Sequence, residues 1–164
     1  MAPGHMGGGV PYERIRESDT IRVGALPNAP QFRSWRNALR DEVSGASGRP
    51  DQAFRWLQMT ESPGMEFDEL ENSMGFDSLD MKLAASLSKV LNGDLQHRVN
   101  IMKETRAKQG RLVKGRQILY LINQHFRVSV EEGCLYDLRD LLAVKLRNGD
   151  LKKFVHNWEQ VCRE

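Results

Sequence analysis

The sequence predicts an all-α fold, a compact domain of about seven helices joined by helix-turn-helix connections. Two observations carry this. After Pro30, apolar residues recur at intervals of three and four rather than alternating in twos, the mark of one buried helix face. The tetrapeptide Asn-Gly-Asp-Leu also occurs twice, at 92–95 and 148–151, with a helical stripe on either side of each copy. Asn-Gly alone is the strongest short signal for a β-hairpin, but strands would show period two. Each copy therefore reads as a helix stop joined to a helix start. Gly93 and Gly149 would take the left-handed backbone that ends a helix, and Asp94 and Asp150 would cap the helix that follows. Outside the tetrapeptide the two regions share only periodicity, so this is punctuation and not a repeat.

Taken in order, residues 1–10 (MAPGHMGGGV) read as a start codon, a cloning scar and a glycine spacer, and residues 11–29 as an extended, flexible leader. The helical domain is expected over residues 30–164. Pro30 suits the first turn of a helix with Phe32, Trp35, Leu39 and Val43 on one face and Gly45 as its stop. Pro50-Asp51 opens a second, with Phe54 and Leu57 inward and Trp56 beside them. Asp77 or Ser78 caps a third along Leu79, Leu83, Leu87 and Leu91. The fourth runs from the first Asn-Gly-Asp-Leu to Gly110. A fifth spans Lys114 to Arg127 on Ile118, Leu119, Ile122 and Phe126. Leu135, Leu138, Leu142 and Leu146 mark a sixth, and Leu151, Phe154, Trp158 and Val161 a seventh. Between the fifth and sixth, Arg127-Val128-Ser129-Val130 is the one candidate for a short extended segment.

The residue inventory narrows function. A chain of 164 residues with 40% hydrophobic and 28% charged residues suits one soluble domain or two small ones. Its apolar runs are far too short for a bilayer span, and no secretory signal pattern opens it. Cys134 and Cys162 are too few for a disulfide framework or a four-cysteine zinc site, so a reduced, cytoplasmic protein is expected. His125 beside Phe126 reads as a helix-end cation, and His156 with Glu159 as an inert surface pair. No phosphate loop, dinucleotide fingerprint, nucleophile elbow or zinc-protease motif is present. The expectation is a protein that is not an enzyme, with no cofactor, metal or small-molecule substrate.

Charge is uneven although the net is only +2. Residues 61–80 hold seven acids and no base. Residues 94–116 hold seven bases against Asp94 and Glu104. The basic stretch, QHRVNIMKETRAKQGRLVKGRQ, is the candidate polyanion site, with Arg98, Lys103, Arg106, Lys108, Arg111, Lys114 and Arg116 over a helix end, a loop and a helix start. Contact with a phosphate backbone there would release counterions. Aromatic residues are not interleaved, so base stacking is not implied. A solvated helix-turn-helix face, or head-to-tail association of opposite charges, explains the same pattern.

The last third carries a family resemblance. GRQILYLINQHFR followed by LYDLRDLLAVKLRNGDLKKFVHNWEQV resembles the Gag region of copia-type LTR retrotransposon polyproteins, in which a leucine-rich helix ends in a glycine turn and an aromatic helix follows. The pattern falls on Leu142, Leu146, Gly149, Asp150, Leu151, Phe154, Trp158 and Val161. Upstream, Phe32, Trp35, Leu39, Ala53, Trp56, Leu57 and LDMKLAASLSKVLNGDL resemble the same family more weakly. The resemblance implies a helical, capsid-like subunit that self-associates into a shell around element RNA, with no catalytic residues. It departs from many Gag proteins in lacking a zinc knuckle, so RNA contact would be electrostatic. A helical nucleic-acid or protein adaptor built on residues 98–116 is the alternative.

Overall fold

A computed structural model describes residues 16–146. Over that range the chain is helical and holds no strand. Five α-helices follow one another: α1 (Phe32–Ala46), α2 (Pro50–Gln58), α3 (Asp77–Val90), α4 (Gly93–Ala107) and α5 (Gly115–Leu146). Short 3-10 turns lie at Ala29–Gln31, Met59–Glu61 and Glu69–Glu71. The chain divides into two compact units, Met1–Leu121 and Ile122–Glu164. The first holds α1 to α4 and the opening turns of α5. Over the described residues, the second is the rest of α5.

The expected count of about seven gives way to five because the predicted fifth and sixth helices are one. α5 runs 32 residues through 127–130, the stretch with the extended reading. Two valines there lower helix propensity only slightly, and no proline interrupts the backbone ladder. The predicted seventh helix and the second Asn-Gly-Asp-Leu, with Asp150, lie outside the described residues.

Local chemistry fixes the helix ends, not always where expected. The Asn28 side chain accepts the Gln31 N–H at 3.2 Å and starts the 3-10 turn that leads into α1. Gly45 stays inside α1. The stop falls at Ser47, whose hydroxyl donates to the Ser44 carbonyl at 2.7 Å, and at Gly48 with φ +68°. In α2 the buried face is Ala53, Trp56 and Leu57, while Phe54 is 36% exposed. Ala53 is small, and α1 packs against this helix. At the first Asn-Gly-Asp-Leu, Gly93 takes φ +56°, as the turn requires. Asp94 is not the cap. Asn92 holds that position without a side-chain bond, and Asp94 sits in the first turn, where it acts only on the positive helix end. Likewise Phe76, not Asp77 or Ser78, occupies the N-cap of α3.

The core of the first unit is a leucine-rich layer shared by all five helices. Val43, Leu57, Leu70, Leu79, Leu83, Leu87, Leu95, Val99 and Ile118 are essentially inaccessible. Each such side chain contributes about 1.5–3 kcal/mol on burial. Residues 16–28 of the leader form no helix or strand, but they are held down. Ile21 is buried, Ser18 N–H donates to the Ala46 carbonyl at 2.8 Å, and the Ser86 hydroxyl donates to the Ile21 carbonyl at 2.7 Å. Lys82 pairs with Glu17 at 2.7 Å, and Trp35 Nε1 donates to the Gly24 carbonyl at 3.1 Å. The helical unit therefore begins well before residue 30.

Candidate functional site

The acidic segment and the basic segment meet. Leu70, fully buried, anchors the 3-10 turn Glu69–Glu71 to the core, and this sets Asp68 and Glu71 against the end of α4. Arg106 pairs with Asp68 and lies over the Phe67 ring, 5.2 Å from its centroid. Arg111 grips Glu71 through both guanidinium arms. This contact holds the Glu71 carboxyl below its usual range and pushes Arg111 up. Lys114 lies 3.7 Å from Asp77 and donates to the Ser73 hydroxyl at 3.0 Å.

Beneath this seam lies a buried polar knot. Asp80 is on the i, i+3, i+4, i+7 stripe it shares with Leu83, Ala84 and Leu87, and it is 0% exposed. Its carboxylate accepts the Ser73 hydroxyl at 2.8 Å and the Arg116 backbone N–H at 2.9 Å. That N–H belongs to the first turn of α5, which has no carbonyl partner inside the helix. Asp80 thus caps α5 from another helix. Gln117 adds half of a capping box by accepting the Lys114 N–H at 3.0 Å, and it donates to the Phe67 carbonyl at 3.1 Å. Burial pushes the Asp80 carboxyl up, against the pull of Arg116 N–H and Ser73.

Arg116 is the clearest departure from the expected surface site. It is 1% exposed. Its guanidinium donates to the Trp56 carbonyl at 3.1 Å and to the Asn72 carbonyl at 2.6 Å, and it sits 4.9 Å from the Trp56 ring centroid. Burial lowers its pKa from the usual arginine value. Gly115 explains how the helix comes so close: a Cβ there would lie 2.5 Å from the Asp80 carbonyl oxygen and 2.6 Å from Leu83 Cβ.

Of the candidate polyanion-binding residues, then, Arg106, Arg111 and Lys114 meet acids, and Arg116 is interior. Arg98 on α4 and Lys108 at its C-cap are exposed, with no ion pair among the described residues. Lys103 donates to the Ser88 hydroxyl at 2.6 Å. Arg98 and Lys103 are five residues apart, about 140° around the helix, so they do not share a face. Lys103 and Arg111 edge a cleft of about 360 Å³ whose walls are Met81, Ala84, Leu112 and Val113.

Of the Gag-like core positions, Leu142 is 38% exposed. Leu146 closes α5, and Leu151, Phe154, Trp158 and Val161 lie outside the described residues. His97 is exposed, and the His125 ring stands edge-on to Phe126 with centroids 5.3 Å apart. Among the described residues no three histidines, cysteines or acids cluster as metal ligands, and no helix is long and apolar enough to cross a membrane. No family model, curated protein or solved structure matches this chain significantly.

The sequence reading missed Asp80, Ser73, Gly115 and Gln117. For Asp80 the signal was present: an acid on the leucine stripe of α3. For Gln117 the signal was local, a glutamine at the third position of α5. For Gly115 no local pattern exists, because its role depends on α3, 35 or so residues away in sequence.

Proposed function

We propose that this chain is a structural, self-associating Gag-like module that assembles into a shell around element RNA in the cytoplasm. The observation that supports this over an adaptor is how the basic stretch is used. Four of its seven cations are committed inside the fold, three to Asp68, Glu71 and Asp77 and one to the interior. What stands exposed instead is apolar: Val128, Leu135 and Leu142 along α5, in the region of the Gag resemblance. Exposed apolar residues in a group mark association surfaces more often than chance. RNA contact on this reading is secondary, non-specific and carried by Arg98, Lys103 and Lys108. Size-exclusion chromatography with light scattering across salt concentration tests it. Regular assemblies that persist at high salt are expected, whereas a monomer binding RNA with a steep salt dependence would support the adaptor.

A further inference from the structure

Met74 is the one non-glycine among the described residues with a left-handed backbone, φ +52°, and it is 56% exposed. The turn that holds it is well defined. The Asn72 side chain accepts the Met74 N–H at 2.9 Å, Gly75 follows at φ +84°, and Phe76 is buried at the N-cap of α3. Left-handed backbone works against any side chain with a Cβ, whereas glycine takes it freely. The fold thus presents an adaptable thioether to solvent where local conformation opposes it, which is the pattern of a contact residue. Three residues on, the Asp77 side chain is 77% exposed and meets Lys114 at 3.7 Å.

The same unit carries the complement. The cleft of about 360 Å³ is walled by Met81, Ala84 and Ala85 of α3 and by Leu112 and Val113 of the loop after α4, with Lys103 at its edge. Lys103 donates to the neutral Ser88 hydroxyl at 2.6 Å and meets no acid among the described residues. An ammonium has three donors, so the cleft fits an apolar side chain that brings a carboxylate with it. Met74 with Asp77 is such a pair. We propose, resting on the self-associating reading above, that the Met74 turn of one copy docks in this cleft of the next. Met74 packs on the apolar walls, and the Asp77 carboxylate accepts from Lys103. Turn and cleft are different patches of one chain, so the contact is heterologous. Each copy gives its turn to one neighbour and its cleft to another, and the contact propagates as a ring or a filament.

The test is concentration-dependent mass by light scattering on the full chain, with urea denaturation as the control for folding. Low salt, about 10 mM, keeps the charge contact unscreened, whereas high salt leaves the apolar part alone. Met74→Gly should weaken association about thirtyfold, as loss of a central anchor does. Its unfolding midpoint should hold or rise, because glycine accepts the left-handed backbone. Asp77→Lys and Lys103→Glu should each weaken association about tenfold, and the double variant Asp77→Lys/Lys103→Glu should restore it. An equimolar mixture of Met74→Gly and Lys103→Glu should associate at concentrations where neither does alone, since each supplies the half that the other lacks. Association unchanged by Met74→Gly, or no rescue in the double variant and the mixture, overturns this contact while leaving self-association standing. A loss confined to Lys103→Glu also overturns it, because something other than the Met74 turn then fills the cleft. A wild-type chain that is monomeric at every concentration overturns both readings.

Discussion

Asp80 on α3 accepts the backbone N–H of Arg116 at 2.9 Å, so a buried carboxylate caps a helix that begins 35 residues later in the chain. The bond ties the acidic segment to the basic one and stands where a local cap would ordinarily be. It also explains why Arg116 points inward. Once its amide is fixed on Asp80, its guanidinium reaches the Trp56 and Asn72 carbonyls.

Asp80→Ala should destabilise the first unit by about 3 kcal/mol. It leaves the Arg116 amide and the Ser73 hydroxyl without an acceptor and a buried guanidinium without a nearby opposite charge. Asp80→Asn keeps an acceptor oxygen for the Arg116 amide but sets an NH2 against the Ser73 hydroxyl, which then has to accept, and should cost less, about 1 kcal/mol. Urea denaturation of the two variants checks the difference, and equal losses would mean that the cap is not what Asp80 supplies.

Two glycine substitutions should move stability in opposite directions. At Gly115 a Cβ would meet backbone and Leu83 at 2.5–2.7 Å, so Gly115→Ala must push α5 off α3 and should cost at least about 2 kcal/mol. At Gly45, inside α1, nothing lies within 4 Å of an added Cβ, and Gly45→Ala should stabilise by about 0.5–1 kcal/mol through helix propensity. Thermal unfolding of both variants is sufficient to read the contrast.

Asp80 and Glu71 make opposite contributions to the pH dependence of stability. The folded Asp80 carboxyl is raised above its ordinary value of 3.8, chiefly by burial. Its contribution is complete below that value and is lost as pH rises through the raised one. The folded Glu71 carboxyl is lowered from 4.5, chiefly by its hydrogen bond to Arg111. Its contribution is present above 4.5 and is lost as pH falls through the lowered value. The advantage of wild type over Asp80→Asn should therefore shrink as pH rises above 3.8. Its advantage over Glu71→Gln should grow as pH rises toward 4.5. Urea midpoints measured from about pH 3 to pH 7 span both carboxylate ranges.

Much of this fold is readable in the sequence, and the failures share a cause. Helices announce themselves through period: Leu39 with Val43, Leu79 with Leu83 and Leu87, and Ile118 with Ile122 all sit where their spacing puts them. What spacing cannot show is which of two adjacent faces another element will cover. Phe54 was expected inside and Trp56 beside it, yet the buried face of α2 is Ala53, Trp56 and Leu57, with Phe54 36% exposed. The basic stretch read as surface for the same reason. Counting cations from Arg98 to Arg116 says nothing about Asp68, Glu71 and Asp77 lying opposite them, a relation that exists only after α3 and the 3-10 turn are placed. The Asp80 stripe is the exception, since an acid at i with leucines at i+3 and i+7 announces a buried carboxylate before any fold is known.

The salt dependence of RNA binding tests most directly whether the basic stretch is spent within the fold. If only Arg98, Lys103 and Lys108 are available, a plot of log affinity for unstructured single-stranded RNA against log salt should have a slope near −2, at about −0.7 per phosphate contact. Replacing those three by glutamine should abolish the binding contributed by this stretch, while light scattering shows self-association unchanged at high salt. A slope near −5, the value for all seven cations, falling to about −3.5 in Arg106→Gln/Arg111→Gln with the fold intact, would contradict the account.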